Sequence, residues 1–453
     1  MLKYETNSRL VQKGQTFVAI KGYTVDGHDF VDEAIANGAV AVIAEKSVDC
    51  NVPVQVVSSS KDELKQRIVE EYAKELKTLK FIGVTGTNGK TTTCYLVYQL
   101  LMKLGVNVAE LGTLGFYHNE QFTKLKNTTP DILTLYKLLL DAKAKGVECI
   151  IMEVSSHALA EERITGLKFD VGAFTNLTQD HLDFHGTMEN YLKEKLKLTN
   201  YLKPEALMLL NADDEAAEAF VPLAKTKSIG ALADYQIEKF ILKPDSTIIE
   251  FSYEGRVFKA KTNLTGKFNV YNYLMALAIV NSLGFKLDAI ISKSELLVPP
   301  LGRCETIKVG NAYAVIDYAH TPDAVGKVTQ TYNELKQGRV ITIIGCGGDR
   351  DPQKRPLMGK IATEASDYVI FTNDNPRTEA PESIMNDITA NNSATNYEVI
   401  YDRGSAIEKG LSLLKSGDIL LILGKGHETE QIIGKEIIHF DDAEHVRNYI
   451  QKM

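Results

Sequence analysis

Short apolar runs alternate with amphipathic stretches along almost the whole chain, and no other feature constrains the fold as strongly. Such runs are typical of buried strands, and the amphipathic stretches between them are typical of helices that cover a sheet. The sequence therefore predicts an α/β protein with parallel sheets rather than a sandwich or a helical bundle. The clearest runs lie at residues 16–20, 39–44, 79–84, 149–154, 171–175, 206–210, 314–316, 340–344, 368–371 and 419–423.

Three domains fit these runs, since 453 residues exceed what one hydrophobic core usually organises. Residues 1–78 are predicted to form a small α/β domain that ends with a helical pattern at 61–76. Residues 79–298 are predicted to form a second domain. The two prolines after Val298 break any helix and mark the linker to a third, doubly wound domain at 299–453.

Composition excludes several classes of function. With 51 Lys and Arg against 59 Asp and Glu, the net charge of -8 argues against non-specific binding to nucleic acid or to an anionic membrane. Five cysteines are scattered singly, without the spacing of a zinc site or a disulfide framework, which indicates a reducing cytoplasm. No basic segment precedes an apolar run at the N-terminus, and no apolar stretch is long enough to span a bilayer. We therefore expect a protein that is neither exported nor inserted in a membrane.

The segment 86–92 (Gly-Thr-Asn-Gly-Lys-Thr-Thr) lies between a predicted strand and a predicted helix. Gly86 and Gly89 allow a tight turn that aims backbone N–H groups at phosphate oxygens, while Lys90 adds a positive charge and Thr91 a hydroxyl for Mg2+. The preceding glycine lies one residue too far upstream for the common G-x-x-x-x-G-K-[ST] spacing, so the loop is a variant. A plain glycine turn is the alternative, but the Gly-Lys-Thr-Thr run directly after a strand favours a nucleotide phosphate site.

Further candidate residues lie near strand ends in the second domain. Glu153 closes an apolar strand and could hold Mg2+, although a solvated strand-end carboxylate explains it about equally well. The segment 176–186 contains two His and two Asp, but lone histidines are more often structural, so only one of His181 and His185 is favoured as functional. Lys195 lies in a helical pattern whose charged face explains it without any function.

Four polar, turn-forming motifs follow four predicted strands of the third domain. Each could be only a turn. Four together are difficult to explain as independent loops, because ligands of open α/β sheets gather at the carboxyl edge of the strands. The motifs lie at residues 317–322, 345–350, 374–377 and 424–428.

In order along the chain, the motifs at 86–92, 127–130, 153–157, 180–186, 317–322 and 424–428 resemble those of the Mur ligases of bacterial cell-wall synthesis. The resemblance implies an N-terminal α/β domain that binds the UDP end of the substrate, a central P-loop ATPase domain and a C-terminal Rossmann-like domain that brings the amino acid. It also implies that ATP phosphorylates the D-glutamate side-chain carboxylate of UDP-N-acetylmuramoyl-L-alanyl-D-glutamate, and that an amine then attacks the acyl phosphate.

The resemblance assigns roles to particular residues. Lys90, His181 and Lys195 would be catalytic, with Lys195 carbamylated by CO2 so that it can hold a second Mg2+. The metal ligands would be Thr91, Glu153, His181 and carbamylated Lys195. The ATP site would contain Gly86, Thr87, Asn88, Gly89, Lys90, Thr91, Thr92, Asn269, Asn272, Arg303 and Asp317. The muramoyl-peptide site would contain Ser8, Thr128, Thr129, Ser155, Arg163 and Lys195. The amino-acid site would contain Arg350, Asp374, Asn375, Pro376, Arg377, Gly424 and Glu428.

Arg377 is the informative residue for the incoming amino acid, because family members that add meso-diaminopimelate resemble this stretch with Arg in that place. Arg377 and Arg350 would pair with carboxylates, while Glu428 and the Gly424 carbonyl would accept the distal ammonium. L-Lysine lacks the distal carboxylate and would leave Arg377 buried and unpaired. The resemblance therefore favours meso-diaminopimelate, and an arginine in a surface turn is the alternative.

Other interpretations predict different partners. The runner-up is a family member that adds L-lysine, and a more distant one is folylpolyglutamate synthase, which lacks the UDP-binding domain. A nucleotide-switched regulatory protein would need no residues that activate a carboxylate. Ser8, Arg9 and the segment 22–27 resemble the uridine and pyrophosphate region, after a shorter lead-in than relatives usually carry. We expect a cytoplasmic monomer whose partners are small-molecule substrates, ATP and Mg2+.

Overall fold

The computed structural model describes residues 2–22, 25–119 and 121–452. The chain forms two compact units, the first from residues 1–90 and 101–227 and the second from residues 91–100 and 228–453. Tyr23 and Thr24, in the segment that resembles a uridine region, lie outside the described residues.

A small parallel sheet opens the first unit. Its elements are β1 (Tyr4–Glu5), a 3-10 turn (Ser8–Leu10), β2 (Thr16–Val18), a 3-10 turn (Gly27–Phe30), α1 (Val31–Ala36), β3 (Ala41–Ala44), β4 (Val54–Val56), α2 (Ser60–Tyr72) and a 3-10 turn (Glu75–Thr78). The strands lie in the order β1-β2-β3-β4 and all pair in parallel. Ser59 caps α2 by accepting the backbone N–H of Asp62, and Leu64, Ile68 and Tyr72 form the buried stripe of that helix.

The main sheet of the first unit carries the glycine loop. Its elements are β5 (Lys80–Thr85), α3 (Lys90–Lys103), β6 (Val108–Gly112), β7 (Gly115–His118), β8 (Gln121–Thr123), α4 (Ile132–Ala144), β9 (Cys149–Glu153), α5 (Ser156–Ala160), β10 (Phe169–Phe174), α6 (Leu182–His185), α7 (Met188–Leu196), a 3-10 turn (Lys197–Tyr201), β11 (Leu202–Asn211) and a 3-10 turn (Glu215–Phe220). Strands β11-β10-β5-β9-β6 are parallel, and β7 and β8 extend the sheet in antiparallel fashion. The carboxyl ends of β5, β9 and β10 therefore share one edge.

The second unit begins with an antiparallel meander that the apolar runs did not predict. The meander consists of β13 (Tyr235–Lys243), β14 (Ser246–Tyr253) and β15 (Arg256–Thr262), and the preceding strand β12 (Lys225–Gly230) pairs with β13 in parallel. The helices α8 (Lys267–Ser282) and α9 (Leu287–Ile291) and a 3-10 turn (Ser294–Leu296) follow it. Strands β13, β14 and β15 pair in antiparallel fashion. β15 alternates between exposed and buried residues, while β13 and β14 mix buried residues with partly exposed or exposed ones. All three strands therefore lack the fully buried runs of the parallel strands.

The last sheet is doubly wound, as predicted. Its elements are β16 (Glu305–Val309), β17 (Ala312–Asp317), α10 (Pro322–Leu335), β18 (Val340–Ile344), α11 (Lys354–Ala365), β19 (Tyr368–Phe371), α12 (Pro381–Thr389), β20 (Tyr397–Val399), α13 (Arg403–Ser412), β21 (Ile419–Leu423), β22 (Glu430–Ile433), β23 (Glu436–His439) and α14 (Asp442–Gln451). The sheet order is β16-β17-β21-β18-β19-β20, and β22 and β23 form a separate hairpin. Alternate residues of β21 enter two cores: Leu421 packs on the side of Val325 and Met358, and Leu420 on the side of Ile407 and Val446.

Across the described residues, none of the helices combines the length and the apolar character needed to cross a membrane.

Candidate active site

The glycine loop connects β5 to α3 and is fastened to the segment after β10. Gly86 has a φ of +145°, and a Cβ at this position would lie 1.9 Å from Oγ1 of Thr175, so a larger residue does not fit. The Thr87 N–H donates to the Asn176 carbonyl at 2.8 Å, and the Asn88 N–H donates to the Asn176 side-chain oxygen at 2.9 Å. These contacts fix the shape of the loop.

Two lysines converge on one carbonyl of this loop. Lys90 Nζ donates to the Gly86 oxygen at 2.9 Å, and Lys195 Nζ donates to the same oxygen at 2.8 Å. Lys195 is 1% exposed, and its Nζ lies 4.1 Å from the ring centroid of Tyr191. Burial, and then the charge of Lys90, lower the pKa of Lys195 well below its usual value. The side chain of Lys195 is not solvated, which removes the alternative of a charged helix face.

Glu153 is fully buried at the end of β9, so the alternative of a solvated strand-end carboxylate is wrong. Its Oε1 accepts the backbone N–H of Thr113 at 2.7 Å, and the Thr113 hydroxyl donates to Oε2 at 3.3 Å. The Glu153 backbone carbonyl accepts the Thr129 hydroxyl at 2.8 Å. The carboxylate is therefore held in place beside the loop that contains Thr128 and Thr129.

Four of the residues predicted to bind the muramoyl-peptide belong to one hydrogen-bond network. The Thr128 hydroxyl lies 3.1 Å from the Thr113 hydroxyl, and the Ser155 N–H donates to the Thr129 hydroxyl at 3.2 Å. Arg163 Nη1 donates to the Thr129 carbonyl at 2.6 Å. These residues thus surround the Glu153 end of β9.

Ser8 was also predicted to bind the muramoyl-peptide substrate, but it lies elsewhere in the first unit. It is buried in a 3-10 turn beside the small sheet, and its hydroxyl donates to Glu33. Arg9, next to it, is exposed and pairs with the same glutamate, with Nε 3.7 Å from Oε1. The structure therefore ties both residues to Glu33, a partner that the sequence did not indicate.

The two candidate histidines have different surroundings. His181 has a φ of +52° and is half exposed, with Nε2 3.4 Å from Oδ2 of Asp180. His185 is buried, with Nε2 2.9 Å from the Ser156 hydroxyl, which is a structural contact. The rings of both lie around His157, at centroid distances of 4.8 and 5.5 Å, and burial lowers the pKa of His157. No local sequence pattern indicated that His157 lies at the centre of this cluster.

Mg2+ fits the oxygen-rich edge of this sheet. Among the described residues, no three His, Cys, Asp or Glu side chains converge on a metal position. Mg2+ commonly binds through one or two carboxylates together with water and substrate phosphates, so the protein does not have to supply all of its ligands. Glu110 lies near Glu153, is fully buried, and has two carboxylate oxygens without a hydrogen-bond partner in the described part of the chain. Such orphaned oxygens suit a hard divalent cation.

Most of the residues predicted to bind ATP in the second unit are buried. Asn269 and Asn272 lie on α8, with the Asn272 amide donating to Oδ1 of Asn269 at 3.0 Å. Thr91 and Thr92 at the start of α3 are also buried. Asp317 ends β17 and accepts the backbone N–H groups of Cys304 and Ala319, both at 2.8 Å, while burial raises its pKa. Separately, the Arg303 guanidinium lies 4.6 Å from the Tyr318 ring centroid.

The four strand-end motifs of the last sheet meet at one edge, because β17, β21, β18 and β19 are neighbours. Arg377 has a φ of +52°, and its Nη1 donates to the Gly348 carbonyl at 2.8 Å. A Cβ on Gly347 would lie 2.8 Å from Nη1 of Arg377 and 3.6 Å from Cγ of Arg350. Both arginines thus border the same glycine, and Arg350 is exposed to solvent.

Glu428 is held by two side chains at this edge. Asn375 donates its amide to Oε2 of Glu428 at 2.8 Å, and the Lys425 ammonium lies 3.3 Å from the same oxygen. Asp374 accepts the Asn375 N–H at 2.7 Å and faces Gly424, where a Cβ would lie 2.8 Å from Oδ2. Pro376 continues this turn, with its carbonyl accepting the N–H of Glu379 at 3.1 Å.

Three buried charged residues that support this edge escaped the sequence analysis. Lys425 is fully buried and also donates to the Glu430 carbonyl at 2.7 Å. Arg355 pairs with Glu379 and Asp387 at 2.8 Å each, which ties the loop after β19 to α11 and α12. Arg403 forms a fully buried pair with Asp442 at 2.7 Å and donates to the Leu423 carbonyl. The acidic partners of Arg355 and Arg403 are distant in sequence, and the burial of Lys425 depends on the packing of the fold, so local sequence does not distinguish these residues from surface charges.

The first unit contains a glycine loop of the type that binds nucleotide phosphates, with two lysines beside it. The last sheet has two arginines and a held carboxylate at the carboxyl edge of its strands. These features are typical of α/β enzymes that use a nucleotide. Three family models match the chain: the Mur ligase family, catalytic domain at residues 4–83, the Mur ligase middle domain at 84–280, and the Mur ligase, glutamate ligase domain at 302–426. The chain belongs to the Mur ligase family and is a ligase, so the predicted family and α/β fold class are confirmed.

Relatives and solved structures agree with this assignment. The UDP-N-acetylmuramoyl-L-alanyl-D-glutamate--2,6-diaminopimelate ligase of Bacillus cereus is 41% identical over 451 residues, which covers 97% of this chain and 92% of the relative. A solved structure of an enzyme with that name has a TM-score of 0.72 at 33% identity and covers 99% of this chain and 94% of its own. The Thermotoga maritima MurF ligase in complex with ADP has a TM-score of 0.71 at 23% identity, with 99% and 97% covered, and shares the fold.

Proposed function

We propose that this chain joins meso-diaminopimelate to UDP-N-acetylmuramoyl-L-alanyl-D-glutamate in an ATP-dependent step of peptidoglycan precursor synthesis. The observation that carries the proposal is the placement of Arg377 and Arg350 at one glycine, on the same strand edge as the held carboxylate of Glu428. Meso-diaminopimelate offers two carboxylates and a distal ammonium to such a set. The name of the Bacillus cereus relative supports the same substrate pair.

The charges at this edge favour meso-diaminopimelate over L-lysine. Arg377 would pair bidentately with the distal carboxylate, and Glu428 with the Gly424 carbonyl would accept the distal ammonium. L-Lysine carries the ammonium but not the carboxylate, so its binding would desolvate Arg377 without a partner. Asp374 and Asn375 would support the amino-acid site by fixing the turn that contains Pro376 and Arg377.

The first unit would activate the D-glutamate carboxylate. The γ-phosphoryl group of ATP would be transferred to this carboxylate, which creates an acyl phosphate and releases ADP, and attack by the amine would then release phosphate. The phosphates would be held by Lys90 and by the other residues of the segment 86–92, namely Gly86, Thr87, Asn88, Gly89, Thr91 and Thr92. The family resemblance also assigns Asn269, Asn272, Arg303 and Asp317 to ATP binding. Thr128, Thr129, Ser155 and Arg163 would orient the muramoyl-peptide, and Ser8 would contact its UDP end.

Glu153, Thr91 and His181 would bind Mg2+, which neutralises charge on the transferring phosphoryl group when it is bound. Lys195 would contribute as a carbamate: its neutral amine attacks CO2, a C–N bond forms and a proton leaves to solvent. Burial of Lys195 and its lowered pKa support this step, because only the neutral amine is nucleophilic. The added carboxylate would hold a second Mg2+ and contact the substrate.

The wider organisation belongs to the same proposal. Domains at residues 1–78, 79–298 and 299–453 would supply the UDP site, the ATPase site and the amino-acid site. The enzyme would act as a monomer in the cytoplasm on small-molecule substrates and would bind no nucleic acid.

A coupled assay for ADP tests this proposal. We expect ADP release to require UDP-N-acetylmuramoyl-L-alanyl-D-glutamate and an added amino acid together, with the highest kcat/KM for meso-diaminopimelate. ADP release with either substrate alone, at the full rate, would contradict a ligase mechanism that passes the acyl group to an amine.

A further inference from the structure

Glu110 is a buried carboxylate that the proposed reaction does not yet use. It lies in the middle of β6, is fully buried, and neither of its oxygens has a hydrogen-bond partner among the described residues. Burying a carboxylate without a partner is costly, so such a group is retained in proteins mainly where another charge or a ligand compensates it.

Glu110 and Glu153 point into one space. Strands β6 and β9 pair in parallel, and Leu111 lies beside Met152 in this register. The next residues along the two strands, Gly112 and Glu153, are therefore also neighbours. A Cβ on Gly112 would lie 2.3 Å from Oε1 of Glu153 and 2.8 Å from Oε1 of Glu110. The missing side chain of Gly112 is therefore what lets the two carboxylates approach each other.

No cationic side chain of the described residues balances this pair. Glu153 receives the N–H and the hydroxyl of Thr113, whereas Glu110 receives nothing, and neither forms an ion pair with Lys, Arg or His in the described part of the chain. Two facing carboxylates in a buried site repel each other, and burial together with the charge of Glu153 raises the pKa of Glu110 well above its usual value. A cation between the two groups, or a proton on one of them, relieves this repulsion. A divalent cation with oxygen ligands meets that need.

We propose that Glu110 is a second carboxylate ligand of the divalent cation at Glu153. The proposal rests on the proposed function in one respect, namely that Glu153 binds the metal that accompanies ATP. Gly112 is then a positioning residue, because it keeps open the space in which the two carboxylates meet. Glu110 approaches this space from the interior of the sheet, so water and phosphate oxygens would complete the coordination from the edge of the strands.

Binding of Mn2+ to the full chain, measured by the loss of the free-ion EPR signal without and with ADP, tests this assignment independently of activity. Glu110→Gln keeps the size of the side chain and is expected to weaken Mn2+ binding by about tenfold or more. Glu205→Gln, which changes an exposed glutamate, is the matched control and should bind as the wild-type chain does. Gly112→Ala should also weaken binding, although it retains both carboxylates.

Thermal unfolding of each variant without metal verifies that it is folded. The proposal would be overturned if Glu110→Gln bound Mn2+ as tightly as the wild-type chain, or more tightly. That result is expected if the two carboxyl groups share a proton instead of a metal ion. Absence of Mn2+ binding by the wild-type chain, with and without ADP, would overturn it as well. The amino-acid specificity assay is unaffected by this result, so failure of the metal assignment and failure of the proposed function are distinguishable.

Discussion

Lys425 is the buried partner of Glu428: its ammonium lies 3.3 Å from Oε2 of the carboxylate and 3.1 Å from Oδ1 of Asn375. Asn375 in turn donates its amide to the same oxygen of Glu428. The three side chains fix which oxygen faces the protein, so the other oxygen of Glu428 is oriented before an amino acid arrives. The acceptor of the distal ammonium is thus preorganised by a lysine.

Replacing Lys425 by Met should therefore weaken binding of the amino acid more than it slows the chemistry. The substitution removes one of the two donors to Oε2 of Glu428 and one of the two donors to Oδ1 of Asn375, and it leaves the carboxylate without its buried cation. We estimate a loss of about 1–3 kcal/mol. We expect the KM for meso-diaminopimelate to rise by about tenfold or more, with the KM for ATP unchanged. Steady-state kinetics with Lys435→Met, an exposed lysine on the same hairpin, provides the control. An equal rise in both KM values would indicate a general loss of structure instead.

Arg377→Lys should reduce discrimination between amino acids. Lysine keeps the positive charge but not the planar pair of donors that a carboxylate binds. We expect the ratio of kcat/KM for meso-diaminopimelate to that for L-lysine to fall by about tenfold to a hundredfold. Arg447→Lys, at an exposed position of α14, should leave the ratio unchanged. If Arg377→Lys also left it unchanged, the distal carboxylate would be bound elsewhere.

Lys195→Ala should abolish most activity, and a short carboxylate such as formate or acetate should restore part of it. The added anion would replace the carbamate in the space that the truncated side chain leaves. Lys193→Ala, two residues earlier on the exposed face of α7, is the control and should retain activity. Mass spectrometry at neutral pH and after acidification should detect loss of CO2 from the wild-type chain only. Full activity of Lys195→Ala would refute the carbamate.

In CO2-free buffer, Lys195 should make the stability of the protein depend on pH. Burial and then Lys90 lower its folded pKa well below 10.5, so below about pH 10.5 the unfolded chain binds a proton that the folded chain does not. The free energy of unfolding therefore decreases as the pH falls towards the folded pKa. Lys195→Met removes this dependence, so its Tm should exceed that of the wild-type chain near pH 7, and the difference should shrink towards pH 10. A difference that does not change with pH would contradict the lowered pKa.

The sequence predicted the strands whose side chains are apolar on both faces, because burial on both faces requires a continuous apolar run. Strands β18, β19 and β21 coincide with their predicted runs. The meander of β13, β14 and β15 was missed, because its strands mix buried, partly exposed and exposed residues and lack the fully buried runs of the parallel strands. The helix predicted at 61–76 ends at Tyr72 and continues as a 3-10 turn.

The candidate site was predictable where residue type and order carry the signal, as in the glycine loop. It was not predictable where burial decides the chemistry. Lys195 and Lys193 lie on the same helix and are of the same type, yet one is buried against Tyr191 and the other is exposed. Glu110 lies inside an apolar strand, and its proximity to Glu153 depends on the pairing of β6 with β9. Such relationships are long-range, and local sequence patterns do not contain them.

Competition between amino acids tests the central claim most directly. The purified chain is incubated with ATP, Mg2+, UDP-N-acetylmuramoyl-L-alanyl-D-glutamate and equal concentrations of meso-diaminopimelate and L-lysine, and the products are separated by mass. Because both amino acids compete for one site, the product ratio equals the ratio of the two kcat/KM values. We predict that the product containing meso-diaminopimelate will dominate by about a hundredfold or more. Equal amounts of the two products, or an excess of the lysine product, would contradict the role of Arg377.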